Sequence, residues 1–180
     1  MKATGIVRRI DDLGRVVIPK ELRRTMRLRE GAPLEIFTEK DGELIFKKYS
    51  PIGELSDFAA DLCESLRKAS DTAAAVCDRD SVIAVAGAGK KELAGKNVSG
   101  ALSELMERRA LYRRAGAAAP VPVCEDGEKY SVSVASPIFC EGDVAGCVLF
   151  LEQSGQQGGG EAEEKLAQAA ALFLGRQMES

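Results

Sequence analysis

Residues 14–24 read Gly-Arg-Val-Val-Ile-Pro-Lys-Glu-Leu-Arg-Arg, and this stretch constrains the fold more than any other part of the chain. Its short β-branched run at 15–18 predicts a strand, and the Asp-Asp-Leu-Gly before it is a turn signal. Pro19 suits the first position of a helix, where its missing backbone donor is not needed. Gly31 ends the helical pattern. The stretch therefore predicts a turn, a strand and then a short helix.

The predicted helix carries a concentrated positive charge. At about 100° per residue, four cations share one arc of about 100° that contains no acid, while Leu22 and Met26 share another; the four are Lys20, Arg23, Arg24 and Arg27. Residues 1–50 hold 12 Lys/Arg against 8 Asp/Glu, whereas residues 51–180 hold 13 against 20. Most charge runs are solvated helix faces, but a basic arc without acids in an acidic chain favours a polyanion, above all DNA.

Strand signals surround this helix. Residues 5–10 are a further extended candidate, and residues 34–38 and 43–48 flank an Asp-Gly pair that predicts a hairpin. Four short strands and one helix in fifty residues make a thin core with exposed edges. We therefore expect pairing with a second copy through interleaved hairpins, which would double the basic surface.

The rest of the chain predicts a second domain at 56–180, after a linker at 51–55. Apolar periodicity indicates helices at 55–69, 99–109 and 161–178, and strands at 72–77, 81–86, 130–139 and 144–151. A helix, a mostly antiparallel sheet and a closing helix give an α+β fold. The apolar sides of the first and last helices could bury against the sheet or form a bundle between subunits.

Composition argues against several chemistries. There is no histidine, which removes Ser-His and Cys-His catalysis, and the five cysteines include no C-x-x-C pair. The loop at 86–91 resembles a phosphate-binding loop, but Ala84 and Lys91 occupy positions that need glycine and Ser/Thr. We expect no enzyme activity, no cofactor and no metal. Because no apolar run approaches roughly 18 residues, we also expect a cytoplasmic protein without a membrane span.

The first fifty residues closely resemble the AbrB family of swapped-hairpin transcription factors. The shared motifs are Thr-Gly-Ile-Val-Arg-Arg at 4–9, Asp-Asp-Leu-Gly-Arg-Val-Val-Ile-Pro at 11–19, Glu-Leu-Arg-Arg-Thr at 21–25 and Leu-Glu-Ile at 34–36. The resemblance implies that two chains interlock their hairpins into a barrel-like dimer at 1–50. It also implies contacts to double-stranded DNA from four arginines: Arg8, Arg15, Arg23 and Arg24. Arg9, Lys20 and Arg27 are expected to support them.

The layout of the whole chain resembles regulators of endospore-forming bacteria that couple an AbrB-like domain to a GAF-like domain. This resemblance implies a sequence-specific regulator of sporulation genes, acting on the nucleoid of the developing spore. It also implies that dimers associate into a tetramer through the C-terminal helices. GAF-like domains often bind small molecules, so an effector of unknown identity is a further expected partner.

Three alternatives stay open on the sequence alone. Some antitoxins share the swapped-hairpin fold, although they usually end in a short disordered tail. An enzyme could occupy the C-terminal domain, but no nucleophile–base pair supports it. Cys140 and Cys147 bracket a turn at 141–143, where a hairpin could bring the two thiols together for redox sensing.

Overall fold

The structure is a computed structural model that describes residues 4–116, 118–125, 129–153 and 159–179. The chain divides into two compact units, with the boundary between Tyr49 and Ser50. Unit 1 precedes this boundary and unit 2 follows it.

Unit 1 contains one helix and one β-hairpin. Helix α1 spans Lys20–Thr25, and strands β1 (Leu34–Thr38) and β2 (Leu44–Lys48) pair antiparallel with Ile36 opposite Phe46. In the connecting turn, the Gly42 N–H donates to the Glu39 carbonyl at 3.1 Å, and Gly42 has a φ of 80°. Glycine reaches this conformation without a steric penalty, which is why Asp-Gly is a hairpin signal. The predicted hairpin is confirmed.

Two of the predicted strands of unit 1 are absent from the single chain, and its helix is shorter than predicted. Residues 5–10 and 15–18 form no strand in this single chain, although the turn between them closes with the Gly14 N–H donating to the Asp11 carbonyl at 3.0 Å. A strand needs a neighbour for its backbone hydrogen bonds, and these segments find none within one copy. Helix α1 also stops at Thr25 instead of continuing toward Gly31, and Pro19 precedes the helix as its N-cap.

Apolar side chains in unit 1 are mostly exposed. Among its described residues only Pro19 is buried. Ten large apolar side chains are exposed, and they occur in every part of the unit: Val7, Ile10, Leu13, Val16, Val17, Met26, Ile36, Leu44, Phe46 and Tyr49. Across residues 4–49, a single copy of unit 1 thus lacks a buried apolar core.

Unit 2 is an antiparallel sheet with helices on both sides. Its helices are α2 (Pro51–Glu54), α3 (Ser56–Ser70), α4 (Lys90–Leu93), α5 (Gly100–Glu107) and α6 (Glu161–Met178), and its strands are β3 (Ala74–Asp78), β4 (Val82–Ala86), β5 (Tyr112–Arg113), β6 (Val121–Pro122), β7 (Tyr130–Cys140) and β8 (Asp143–Gln153). The strand order is β4-β3-β8-β7-β5, and β6 also pairs with β7. The predicted long elements and the α+β class are confirmed; α2, α4, β5 and β6 were not predicted.

Two apolar layers enclose the sheet of unit 2. One layer packs Leu66 of α3 and Leu174 of α6 against Phe150, while the other packs Leu102 of α5 against Leu149. Nine successive residues of β7 are buried because both of its faces are covered. No helix in the described part of the chain is long and apolar enough to cross a membrane.

The segment at 51–55, predicted as a linker, instead contributes to the core of unit 2. Ser50 caps α2 by accepting the Gly53 N–H at 3.1 Å, and its hydroxyl donates to Asp78 Oδ2 at 2.9 Å. Ile52 is fully buried against β8 at Gly146. A Cβ at Gly146 would collide first with the Cys77 carbonyl oxygen of β3 and would also lie 2.6 Å from the Ile52 Cδ1 atom, so the missing side chain makes room for both the neighbouring strand and Ile52. Burial of this isoleucine outweighs the loop-like Pro and Gly composition of the segment.

Replacing Ile52 with alanine should destabilise unit 2 by about 2–5 kcal/mol, because the change leaves a cavity beneath α2. Urea unfolding followed by circular dichroism measures this loss. Lys68→Ala, at an exposed position of α3, is the matched control and should change stability by less than about 0.5 kcal/mol. Equal stabilities for the two variants would show that Ile52 is not a core residue.

Candidate nucleic-acid interface

Helix α1 presents three of the predicted cations to solvent. Its first turn closes with the Arg23 N–H donating to the Pro19 carbonyl at 3.0 Å. Lys20, Arg23 and Arg24 are exposed, whereas Leu22 is partly buried. Arg23 and Arg24 lie in the last turn, where the helix dipole favours positive charge. The short helix therefore combines favourable local electrostatics with a basic outer side.

Arg27 lies beyond the end of the helix. The Leu28 N–H donates to the Arg23 carbonyl at 2.7 Å, and the Arg27 N–H donates to the Arg24 carbonyl at 3.2 Å. These two bonds form a Schellman motif, whose central residue adopts the left-handed conformation and is usually glycine. Arg27 occupies that place with a φ of 52°. The helical arc that included Arg27 was therefore wrong, because this residue is outside the helix.

Arg15 is held by the turn that precedes it. Its Nε atom donates to Asp11 Oδ2 at 2.8 Å, and its backbone N–H donates to Asp11 Oδ1, also at 2.8 Å. These hydrogen bonds lower the pKa of the Asp11 carboxyl, so Asp11 keeps its charge further into the acid range than a free aspartate. The sequence reasoning missed Asp11, although an Asp four residues before an Arg across a turn is the signal that could have revealed it.

Arg8 and Arg9 lie in the segment before the turn, which has no regular secondary structure in one copy. Both are exposed, as are all the other predicted contact residues. The structure thus gathers Lys20, Arg23 and Arg24 on one helix. It places the remaining cations on the flanking segments.

Unit 2 carries a cleft of about 520 Å³ at one end of its sheet. Arg67 and Asp71 border it from the end of α3, and Glu152 and Gln153 border it from the end of β8. Glu152 is buried, accepts a hydrogen bond from Ser131 Oγ at 3.1 Å and is ion-paired with Arg114. The nearby loop at 86–91 turns through Gly87 and Gly89, both with positive φ, into the short helix α4.

The cysteine hypothesis was wrong in its geometry. Cys140 lies opposite Asp143 at the β7–β8 turn, while Cys147 lies opposite Pro137 on β7 and opposite Cys77 on β3. Burial raises the pKa of both the Cys77 and Cys147 thiols, and the pKa of Cys140 is raised by burial and by Glu141. A raised pKa leaves the thiolate scarce, so these side chains are poor nucleophiles. Among the described residues, no group of three or more Cys, Asp or Glu is arranged to hold a metal ion.

The basic surface of the hairpin unit fits a nucleic-acid-binding protein, and comparisons with known proteins show the family to which the chain belongs. Residues 54–179 match the family model for stage V sporulation protein T C-terminal, transcription factor. Residues 7–54 match the model for antidote-toxin recognition MazE, bacterial antitoxin. The chain belongs to the stage V sporulation protein T family of transcription factors.

Individual relatives agree with this assignment. Stage V sporulation protein T of Bacillus subtilis (strain 168) is 49% identical over 179 residues, covering 99% of both chains. The transition state regulatory protein AbrB of the same organism is 54% identical over 63 residues, covering 32% of this chain and 65% of AbrB.

Two solved structures are also similar to parts of the chain. The N-terminal DNA recognition domain of B. subtilis AbrB is 57% identical with a TM-score of 0.24, covering 28% of this chain and 94% of that one. A GAF domain/HD domain protein from Geobacter sulfurreducens is 19% identical with a TM-score of 0.45, covering 74% of this chain and 99% of that one.

The family assignment also bears on the open alternatives. An antitoxin is not favoured, because the match to the transcription-factor family covers residues 54–179 as well as the N-terminal unit. Membership in a transcription-factor family favours a role without catalysis.

The left-handed backbone at Arg27 yields a paired prediction. Arg27→Gly and Arg27→Ala both remove the guanidinium. The difference in stability between the two variants therefore measures the cost of a side chain at positive φ. The glycine variant should be more stable than the alanine variant by about 1 kcal/mol. Native-state hydrogen exchange of the α1 amides, at one fixed protein concentration, measures the difference in unit 1. Equal protection in the two variants would contradict the Schellman geometry.

Proposed function

We propose that unit 1 binds specific sites in double-stranded DNA and that the protein thereby regulates sporulation genes. The observation that carries this proposal is the exposed set of Lys20, Arg23 and Arg24 on α1, in a chain whose net charge is −3. An acidic protein has no overall attraction for DNA, so binding needs a local basic surface such as this one. The 54% identity of this region to AbrB supports the same function.

The cations of this surface have two roles in the proposal. Arg8, Arg15, Arg23 and Arg24 contact phosphates and base edges, because the planar guanidinium can grip a phosphate or the O6/N7 edge of guanine with two hydrogen bonds. The supporting cations add charge around them and attract the backbone: Arg9, Lys20 and Arg27. Phosphate contacts position the protein, and base contacts provide the specificity.

Removing either arginine of α1 should weaken DNA binding. Arg23→Ala or Arg24→Ala should raise the Kd for a selected duplex about tenfold, and should lower the slope of log K against log salt by about 1 if the lost contact is to a phosphate. Fluorescence anisotropy at several salt concentrations measures both quantities. Lys40→Ala, in the turn between β1 and β2, is the control and should bind like the wild type. Unchanged affinity in both arginine variants would rule out this surface.

We also propose that unit 1 dimerises by interleaving its hairpins with those of a second copy. The ten exposed apolar side chains of unit 1 support this, since a fold of this kind needs a buried core to be stable. Ile36 and Phe46 face each other across the hairpin, and both are exposed. A second copy would cover this face and give residues 5–10 and 15–18 strand neighbours.

A second contact between copies is proposed on the helices of unit 2. The Phe58 ring of α3 and the Phe173 ring of α6 lie 5.5 Å apart, and both side chains are partly exposed. Leu172, which precedes Phe173 on α6, is 69% exposed. An exposed aromatic patch shared by two helices suits a bundle with the same helices of another subunit. Two such contacts per chain build a tetramer from two dimers.

The two contacts predict a set of sedimentation results. The wild-type chain should sediment as a tetramer, and Phe46→Ser or Phe173→Ser should each yield dimers, because each removes one apolar contact. The double variant should be a monomer. Analytical ultracentrifugation gives these masses, and Lys40→Ala should leave the tetramer intact. A tetramer in the Phe173→Ser variant would rule out the proposed helical contact.

We propose that a small-molecule effector binds in the cleft of unit 2. Its volume of about 520 Å³ lies within the range of ordinary ligand sites, and Arg67 and Asp71 supply charged groups at its rim. In this proposal the protein works in the cytoplasm of the developing spore, on the nucleoid.

A further inference from the structure

The Asp11 carboxylate organises five consecutive residues of unit 1. Its Oδ1 atom accepts the Leu13 N–H at 3.0 Å and the Arg15 N–H at 2.8 Å, and its Oδ2 atom accepts Arg15 Nε at 2.8 Å. The Asp11 N–H in turn donates to the Arg15 carbonyl at 3.1 Å. All these contacts lie within residues 11–15 of one chain. One carboxylate therefore fixes both the backbone turn and the direction of one side chain.

The geometry at Arg15 leaves a specific part of the guanidinium available. Asp11 takes the Nε–H, so the two terminal Nη groups remain for another partner, and the Arg15 side chain is 69% exposed. Two Nη groups presented together match a pair of acceptors such as O6 and N7 of guanine. Fixing the side chain in advance also reduces the entropy lost when it binds.

The charge of Asp11 favours a base edge over a phosphate as the partner. A carboxylate on a DNA-facing surface repels the phosphate backbone, so it weakens binding to every DNA sequence. An arginine that only gripped phosphates would also be preorganised by such a neighbour, but the negative charge of that neighbour would reduce its attraction to the DNA backbone. An acid beside the arginine is useful where orientation matters more than charge, and that is the case for reading a base.

We propose that Asp11 is a positioning residue that presents the Nη groups of Arg15 end-on to a guanine in the major groove. This inference rests on the proposed DNA-binding function. It gives Asp11 a role in discriminating between DNA sequences, although Asp11 touches no DNA itself.

Asp11→Asn separates this role from the turn. The asparagine carbonyl can still accept the two backbone N–H bonds, as Asn commonly does in such turns, but the acceptor for Arg15 Nε is replaced by an amide donor. The variant also removes one negative charge. Charge alone would therefore strengthen binding to any DNA, whereas loss of positioning would weaken binding to the specific site. The two effects have opposite signs.

The test uses the full-length protein and two duplexes. One is a site selected by the wild-type protein from a random duplex library, and the other is a scrambled duplex of equal length and composition. For Asp11→Asn we expect about 5- to 10-fold weaker binding to the selected site and equal or tighter binding to the scrambled one. In an Arg15→Ala background, adding Asp11→Asn should cause no further loss at the selected site.

Two other binding results would overturn the positioning role of Asp11, and a third would refute the proposed function. Tighter binding of Asp11→Asn to both duplexes would overturn the positioning role and leave a simple charge effect. If Asp11→Asn reduced the affinity for the selected site equally in the wild-type and Arg15→Ala backgrounds, the positioning role would also be overturned. A folding defect would reduce affinity whether or not the arginine is present. Wild-type protein that does not distinguish the two duplexes would refute the proposed function itself. Asp11→Ala, which also loses the turn contacts, should show a lower melting temperature than Asp11→Asn.

Discussion

Burial of apolar surface is the constraint on which the rest of this structure depends, and the two units meet it differently. Unit 2 covers both faces of its sheet with helices, so that even the first residues after the boundary, such as Ile52, are drawn into its core. Unit 1 has too few residues to enclose its own apolar side chains. Its two N-terminal segments are consequently unpaired in a single copy, and its hairpin exposes Ile36 and Phe46 on one face.

The length of an element largely decides whether it could be predicted from the sequence. Long elements such as α6 and β7 carry many apolar residues at regular spacing, and the patterns predicted both at nearly their observed ends. Strands β5 and β6 have two residues each, too few to show any period. Helix α2 was missed because Pro51 and Gly53 indicate a loop, although Ser50 before a proline is also a helix-start signal.

The sequence predicted which charged residues form the candidate site, but not the backbone conformation that holds them. Counting Lys and Arg on a helical projection was enough to find Lys20, Arg23 and Arg24. The projection failed at Arg27, because a positive φ at a residue with a side chain depends on how the next residues close the helix. The bond from Asp11 to Arg15 was also missed, since the opposite charges meet only after the turn has formed. Sequence patterns thus locate the cations, whereas turn geometry decides how they are presented.

The same constraint links DNA binding to assembly. If unit 1 folds only as a pair, then its folding and its dimerisation are one equilibrium, and the basic surface forms only at concentrations that favour the pair. A second contact between copies through unit 2 would hold two N-terminal units in one particle and raise their effective concentration. A signal that altered the helices of unit 2 could then change DNA binding without touching any residue of the DNA surface. Unit 2, which is acidic, would then control DNA binding by changing the stability of the basic unit 1. This control would work through mass action alone.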